Sequence, residues 1–337
     1  MTVSGQKRTW VKSDAAPARA GGWGSIIMAM LECHALRKVY RNLVAVNDLS
    51  LTIDEGDIFG FIGPNGAGKT TTIKMLVTLL RPDGGTARVD GKDIVQQQDE
   101  VRKVIGYMPD FFGVYDDIKV WEYLDFFAAA YKIERSRRPQ IIDDVLALTD
   151  LTVKKEAFVE ELSRGMKQRL CLAKTLVHDP KVLFLDEPAS GLDPRARIEL
   201  RELLKELRHL GKTIFISSHI LSELADFVTK VGIIEQGRLI VAGSVDEIMA
   251  QLQPFRRVYV TVAGDAEPAA QVLRQIPGVE NVVVDANRIQ LEFHASEDQF
   301  ASILPALVNG GCQVTGFGEQ EASLEEIFMR VTRGAVA

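Results

Sequence analysis

The segment Gly63 to Thr71, Gly-Pro-Asn-Gly-Ala-Gly-Lys-Thr-Thr, constrains the fold of this chain more than any other. It matches the pattern G-x-x-x-x-G-K-[ST], in which backbone amides surround a polyphosphate. The apolar run Asp57 to Ile62 before it predicts a strand, and the helical spacing of apolar residues from Thr71 to Leu80 predicts a helix. The sequence therefore predicts an α/β fold in which a phosphate loop connects a buried strand to a helix.

Each residue type in this loop has a physical reason. Glycines let the backbone approach a phosphate closely and adopt positive φ, while the helix that follows directs its positive end at the anion. Lys69 is predicted to reach the outer phosphates, and the Thr70 hydroxyl to ligate Mg²⁺. A chance match in a Gly-rich turn is the alternative, which the strand before and the helix after disfavour. The predicted contacts in the loop are Gly63, Pro64, Asn65, Gly66, Ala67, Gly68, Lys69, Thr70 and Thr71.

A second segment, Val182 to Pro188, is an apolar run that ends in two carboxylates. It has the profile of a parallel strand buried on both faces, whose carboxyl end lies where α/β folds bind ligands. Asp186 is predicted to serve the metal, and Glu187 to orient or deprotonate an attacking water. The alternative is a solvated acidic turn, which would make the five preceding apolar residues a coincidence.

Three other positions are ambiguous from local sequence. Tyr40 lies in a turn ahead of the phosphate loop; an exposed turn tyrosine is favoured there over an aromatic that stacks on a base. Ser163 is a good N-cap for a helix that continues to Val177, and this helix start is either an ordinary cap or a second anion site. His219 follows a strand predicted at Thr213 to Ser217 and is either structural or a contact for the terminal phosphate.

Composition sets broad limits. The chain has 337 residues, 46% of them apolar and 26% charged, which fits a globular protein of two or three domains. A formal net charge of −6 argues against nucleic acid as a partner. Cys33, Cys171 and Cys312 lack metal-ligand spacing and are interpreted as reduced structural thiols. No apolar run approaches the roughly 20 residues of a spanning helix.

The predicted organisation has three parts. Residues 1–30 are expected to be a disordered leader, or to precede a true start at Met28 or Met30. Residues 31–250 form the nucleotide-binding domain, which includes a strand at Val101 to Tyr107 and a largely helical insert over about 112–175. Residues 254–337 form a small α+β domain whose β-α-β-β-α-β order suggests a ferredoxin-like arrangement.

Together these segments resemble the ATP-binding subunit of ABC transporters over about residues 31–250. The resemblance implies a P-loop NTPase cassette with a mixed sheet and a helical insert. It implies that Tyr40 stacks on adenine, that Lys69 and the loop amides hold the phosphates of ATP, and that Thr70 and Asp186 serve Mg²⁺. It further implies that Glu187 is the general base, that His219 senses the γ-phosphate, and that Asp193 communicates across a dimer. With this resemblance, a tyrosine that stacks on the base is favoured at position 40 over an exposed turn tyrosine.

Two departures from the family pattern stand out. The usual signature Leu-Ser-Gly-Gly-Gln is replaced by the run Leu162 to Met166, Leu-Ser-Arg-Gly-Met, in which Ser163 and Gly165 keep their donors for a nucleotide bound in trans. Asp110 replaces a glutamine and is interpreted as a nucleotide or metal contact that adds negative charge. Variants of this kind are most similar to ATPases of the ABC-2 exporter type.

The resemblance implies a homodimeric ATPase that uses ATP and Mg²⁺ and powers a separate permease, most similar to exporters of drugs, lipids or polysaccharides. Its expected place is the cytoplasmic side, peripheral on the inner face of the membrane. The alternative is a soluble nucleotide-binding regulator with weak hydrolysis, which Asp110 and the altered signature motivate.

Overall fold

The computed structural model describes residues 29–111, 113, 117–224, 226–245, 247–248, 256–294 and 300–320. Most of the predicted leader therefore lies outside the described residues, as does the segment 321–337. Within the described residues, fourteen strands form three sheets.

The strands and helices are numbered separately along the chain. The strands are β1 (Ala29–Tyr40), β2 (Leu43–Asp54), β3 (Ile58–Ile62), β4 (Gly84–Val89), β5 (Lys92–Asp93), β6 (Ile105–Met108), β7 (Val182–Asp186), β8 (Thr213–Ser218), β9 (Lys230–Glu235), β10 (Arg238–Ser244), β11 (Arg256–Val262), β12 (Val279–Asp285), β13 (Arg288–Phe293) and β14 (Val314–Gln320). The helices are α1 (Lys69–Leu76), α2 (Gln98–Val104), α3 (Val120–Ala130), α4 (Arg138–Leu148), α5 (Arg164–Leu176), α6 (Pro194–His209), α7 (Glu267–Arg274) and α8 (Ile303–Asn309).

The central sheet has six strands in the order β10-β9-β3-β8-β7-β6. All its neighbours are parallel except β10 and β9, so it is a mixed sheet with an antiparallel edge strand. Every residue of β3, β7 and β8 is buried. Both faces of these strands are covered, which explains why they appear in the sequence as continuous apolar runs.

Alternate residues of the central strands pack into different cores. On one face, Phe59, Phe61, Phe184 and Phe215 join α1 and the antiparallel sheet β2-β1-β4-β5. Their rings pack at centroid separations of 5.2–6.5 Å. On the other face, residues such as Ile58 and Leu183 pack against α3, α4, α5 and α6. Fully burying one such side chain contributes about 1.5–3 kcal/mol, so this sheet is a stiff platform for the loops at its edge.

Between β6 and β7 the described chain is helical and contains α3, α4 and α5. The predicted strand at Val101 to Tyr107 is wrong over its first half, because α2 continues to Val104 before β6 begins. Val101 is fully buried while its neighbours are exposed, a helical pattern that the short apolar run concealed.

The C-terminal residues form a separate sheet with the order β12-β13-β11-β14, in which all neighbouring strands are antiparallel. Helices α7 and α8 pack on one face of it around Val260, Leu273 and Ile303. The β-α-β-β-α-β order and this strand order agree with the predicted ferredoxin-like arrangement. The predicted strand at Cys312 to Gly316 starts and ends later, at Val314 and Gln320.

Among the described helices, none is long and apolar enough to cross a membrane.

Candidate active site

Three adjacent parallel strands bring the predicted catalytic residues to one edge of the central sheet. Ile62 of β3 is paired with Ser218 of β8, and Ser217 is paired with Asp186 of β7. The phosphate loop follows β3, His219 follows β8, and Glu187 follows β7. Because the carboxyl ends of parallel strands meet at one edge, residues far apart in the chain form a single site.

The phosphate loop is shaped by glycines that serve different purposes. A Cβ on Gly63 would lie 2.2 Å from the carbonyl oxygen of Ile234, so this glycine is required by the neighbouring strand β9. Gly66 and Gly68 have positive φ angles of 81° and 105°. A Cβ on Gly68 would collide with the Ala45 oxygen at 2.4 Å, whereas nothing lies within 4 Å of one on Gly66. The loop is therefore fixed against the protein at two glycines and open at the third.

Lys69 is the first residue of α1, and its side chain folds back over the loop. Its Nζ donates to the carbonyl oxygens of Gly63 at 2.7 Å and Pro64 at 3.2 Å. The same ammonium lies 3.2 Å from Oε1 of Glu187, and both side chains are largely buried. A buried lysine held in this way presents a fixed positive charge at the start of a helix, where an anion is already favoured.

The Glu187 carboxylate lies between the Lys69 ammonium and the His219 ring. While Oε1 faces Lys69, Oε2 lies 2.8 Å from Nδ1 of His219. Glu187 has a φ of 49°, a conformation that non-glycine residues rarely adopt, and backbone strain of this kind clusters at functional sites. The structure thus brings Lys69, Glu187 and His219 together, as the sequence predicted.

Ser217 was not among the predicted site residues, yet it joins the two carboxylate residues. Its fully buried hydroxyl donates to Oδ1 of Asp186 at 2.7 Å and accepts from the Glu187 amide at 3.0 Å. The available signal was a serine in a strand that is otherwise apolar and buried, because a buried hydroxyl needs a hydrogen-bond partner.

Asp186 fits the role of a cation ligand. It is 1% exposed, and its second oxygen, Oδ2, is buried without a hydrogen-bond partner. Burial raises the pKa of the Asp186 carboxyl, while the hydroxyls of Ser217 and Thr70 act in the opposite direction. An unpartnered buried carboxylate oxygen next to a threonine hydroxyl suits a hard divalent cation such as Mg²⁺. Within the described residues, no group of three or more His, Cys, Asp or Glu side chains is close enough to hold a metal by itself.

Asp110 follows β6 and lies on the Asp186 side of the site. Its negative charge contributes to the raised pKa of Asp186. The pKa of Tyr107 is raised to about 12, mainly by burial, then by the charge of Asp186 and then by that of Asp110. Asp110 itself is exposed to solvent, so an extra carboxylate stands at the rim of the site.

Tyr40 ends β1, and its ring is 44% exposed. The Lys38 ammonium lies 5.8 Å from the ring centroid. The hairpin that carries Tyr40 continues into β2, whose Ala45 carbonyl approaches Gly68 of the phosphate loop. A base stacked on Tyr40 would therefore be bound by an element that is packed against the phosphate loop.

Ser163 and Gly165 lie at the start of α5. The Ser163 side chain caps this helix by accepting from the Met166 amide at 3.3 Å, as its sequence position predicted. In the part of the chain that the structure describes, no hydrogen bond joins this helix start to the phosphate loop.

Comparison with protein families agrees with this architecture. Residues 46–190 match the model of the family described as ABC transporter. Residues 243–332 match the family described as ATP-binding protein DrrA1-3-like, C-terminal domain.

Full-length comparison decides the family. An uncharacterized ABC transporter ATP-binding protein of Synechocystis is 32% identical over 98% of this chain and 91% of its own length. The chain belongs to the ABC transporter ATP-binding proteins. A second relative of this ABC protein, the Nod factor export ATP-binding protein I of Cupriavidus metallidurans, is 34% identical over 90% of the chain and 97% of its own length.

The cassette of this ABC protein also resembles a solved structure. The protein described as the ATP binding subunit of an ABC transporter superposes with a TM-score of 0.60 at 29% identity, covering 66% of this chain and 92% of that one. The P-loop cassette predicted from the motifs is therefore confirmed, and so is the small α+β C-terminal domain, which matches the DrrA1-3-like family over residues 243–332.

Proposed function

We propose that this ABC protein hydrolyses ATP as a homodimer and drives a separate membrane permease that exports its cargo. The observation that carries the proposal is the Glu187 carboxylate, held 3.2 Å from the Lys69 ammonium and 2.8 Å from the His219 ring at the end of β7. Such a group is suited to bind and polarise a water molecule next to a terminal phosphate.

In the proposed reaction the chain's own residues position the nucleotide. Lys69 and the amides of Gly66 and Gly68 bind the β- and γ-phosphates, and Tyr40 stacks on the base. Glu187 accepts the proton of the attacking water. His219 contacts the γ-phosphate and orients the Glu187 carboxylate through their hydrogen bond.

Thr70 and Asp186 are the residues that would hold Mg²⁺, with Asp110 as a further ligand at the rim. When bound, the cation neutralises negative charge that develops on the phosphate oxygens. Ser217 keeps Asp186 in place by donating to Oδ1, which leaves Oδ2 for the metal side.

The proposed dimer is motivated by the start of α5, which no hydrogen bond joins to the phosphate loop of the same chain within the described residues. Ser163 and Gly165 present a hydroxyl and backbone donors at the positive end of α5. A head-to-tail dimer places this helix start of one chain over the nucleotide of the other. Two nucleotides are then bound between two chains.

The proposed export direction is supported by the match of residues 243–332 to the DrrA-like C-terminal domain and by the similarity to a Nod factor export protein. Drugs, lipids and polysaccharides are the proposed cargo classes. The expected location is the cytoplasmic face of the membrane, where the permease would be bound.

The test is a steady-state ATPase assay on the purified chain with Mg²⁺. Glu187→Gln should reduce turnover by about 100-fold or more, since it removes the base, while ATP binding persists and the dimer becomes stable to size-exclusion chromatography. Lys69→Ala should weaken ATP binding itself. Glu202→Gln, an exposed residue on α6, is the matched control and should behave like the wild type.

The alternative of a nucleotide-binding regulator is favoured by the extra carboxylate of Asp110 near Asp186. The same assay separates the two. If the wild type binds ATP but its turnover does not exceed that of Lys69→Ala, the regulator is the better description. If Glu187→Gln instead turns over at an appreciable wild-type rate, the chain is an ATPase and Glu187 is not its base.

A further inference from the structure

We propose that Arg164 is a positioning residue that ties the start of α5 to the segment Glu187 to Asp193 of its own chain. This segment, the connecting loop, begins at the proposed base and ends at the N-cap of α6. The inference rests on the proposed dimer, because the start of α5 would contact the nucleotide of the partner. Arg164 would then transmit occupancy of one site to Glu187 of the other.

The contact itself is defined by two observations. Nη2 of Arg164 donates to the Ser190 carbonyl oxygen at 3.4 Å. The guanidinium also lies against Gly191, because a Cβ there would be 2.3 Å from Nη2 and 2.4 Å from Cζ. Gly191 has a φ of 69°. The absence of a side chain at this position is what allows the planar guanidinium to rest on the loop.

Helix stability does not explain an arginine at this position. Arg164 is the first residue of α5, where the positive end of the helix disfavours a cation. A guanidinium has several donors in one plane, which suits it to bind a backbone carbonyl while its flat face covers a glycine. The contact with Ser190 and Gly191 therefore explains the arginine as a residue that positions the connecting loop.

The connecting loop is short and internally bonded, so a displacement at Ser190 reaches Glu187 directly. The Ser190 amide donates to the Glu187 carbonyl oxygen at 3.0 Å. One hydrogen bond thus separates the residue that Arg164 holds from the backbone of the proposed base.

A second route leads from the connecting loop to the strand that carries His219. Nε of Arg197 donates to the Leu192 carbonyl oxygen at 3.1 Å, and its Nη1 lies 3.0 Å from Glu223. Glu223 in turn accepts from the Ser218 hydroxyl at 3.2 Å. The residue before His219 is therefore joined to the far end of the same loop.

The experiment is a double-mutant cycle of Arg164→Ala and Gly191→Ala, with Arg195→Ala as the matched control on the first turn of α6. ATPase rates are measured against ATP concentration. Arg164→Ala should lower kcat about 5- to 10-fold, leave the KM for ATP within about twofold, and reduce the Hill coefficient from about 2 toward 1. Arg195→Ala, whose side chain is 90% exposed, should change none of these.

Gly191→Ala should lower kcat at least as much as Arg164→Ala, because the added methyl displaces the guanidinium and the positive φ of 69° also strains the loop. The double variant should be no worse than Gly191→Ala alone, since the contact that Arg164→Ala removes is already lost. Additive losses would overturn the proposal. So would an Arg164→Ala variant that is thermally less stable yet keeps the wild-type kcat and Hill coefficient.

Hydrogen exchange separates a failure of this inference from a failure of the proposed function. If wild-type protein does not hydrolyse ATP, the proposed function is wrong, but the tether is still tested by exchange at the Ser190 and Leu192 amides. Both amides donate within the connecting loop and should exchange at least about fivefold faster in Arg164→Ala than in Arg195→Ala. Equal exchange would overturn the inference.

Discussion

Asp186 and Asp90 show how neighbouring groups decide whether burial raises the pKa of a carboxyl. For Asp186, burial raises the pKa of the carboxyl and the neighbouring hydroxyls do not offset it. For Asp90, burial also acts to raise the pKa, but Lys92 and Lys181 together hold it below its usual value. The Asp186 carboxylate, the proposed metal ligand, is thus kept at a cost to folding, whereas the Asp90 carboxylate is not.

Replacing Asp186 by Asn should stabilise the protein at pH 7 without nucleotide or Mg²⁺. A carboxyl whose folded pKa is raised favours folding only while protonated, and this contribution is lost as pH rises through the folded pKa. The asparagine is neutral throughout, so the variant should melt a few degrees higher at pH 7 and the difference should vanish as pH falls toward the ordinary carboxyl value of about 3.8.

Thermal melts at several pH values measure this difference. Asp90→Asn is the control of opposite sign and should destabilise the protein at pH 7, because the ion pairs with Lys92 and Lys181 are lost. A lower melting temperature for Asp186→Asn at pH 7 without ligands would show that the ionised Asp186 carboxylate does not destabilise the folded protein, contrary to its pKa being raised by burial.

Among the helices and strands, the sequence predicted those that have a recognisable pattern within their own residues. The buried strands β3, β7 and β8 and the capped helix α5 follow from apolar runs and from Ser163. Helix α2 was missed because it is short, has Val101 as its single buried residue and ends directly before the strand β6, so the two were interpreted as one apolar run. The contacts of Ser217 and Arg164 could not be predicted, since each depends on which elements become neighbours in space.

The glycines of the phosphate loop allow a test at this scale. Alanine at Gly66 introduces only the strain of positive φ, about 1–2 kcal/mol, because the space around it is open. Alanine at Gly68 adds a collision with the Ala45 carbonyl oxygen of β2, which is backbone and cannot rotate away. Gly68→Ala should therefore cost about 3 kcal/mol or more.

Urea unfolding of both variants measures the two free energies. Gly66→Ala is the matched control, since it has the same change in the same loop. Equal losses would show that β2 moves freely relative to the loop and would contradict the close packing of Gly68 against Ala45.

At the scale of the whole molecule, the C-terminal sheet and its two helices have a hydrophobic core of their own, whose buried residues lie between Val258 and Leu307. This core shares no residue with the two cores on the faces of the central sheet. The nucleotide-binding domain exposes large apolar side chains on and near its helical segment, including Phe111 at 88% and Val153 at 90%. The proposed permease is a partner that could cover these side chains, although single exposed apolar residues are common on protein surfaces.

A tagged form of the chain, expressed in its native cell, should copurify from detergent-solubilised membranes with a multi-span permease. Lys69→Ala should retain the partner, because Lys69 is buried in the phosphate loop and is not part of an exposed docking surface, and mass spectrometry of the eluate identifies the partner. Recovery of the chain alone from the membrane fraction, with no spanning protein in the eluate, would argue against a transporter subunit.

The turn between β9 and β10 joins the phosphate loop to the hairpin that carries Tyr40. The Gly237 amide donates to the Ala67 carbonyl oxygen of the phosphate loop at 3.0 Å, and its own carbonyl accepts from Asn47 of β2 at 2.8 Å. One glycine thus fixes the distance between the hairpin that carries Tyr40 and the loop for the phosphates. If Tyr40 stacks on the base and the loop binds the phosphates, as proposed, this turn sets the spacing between the two contacts in the backbone before any ligand binds.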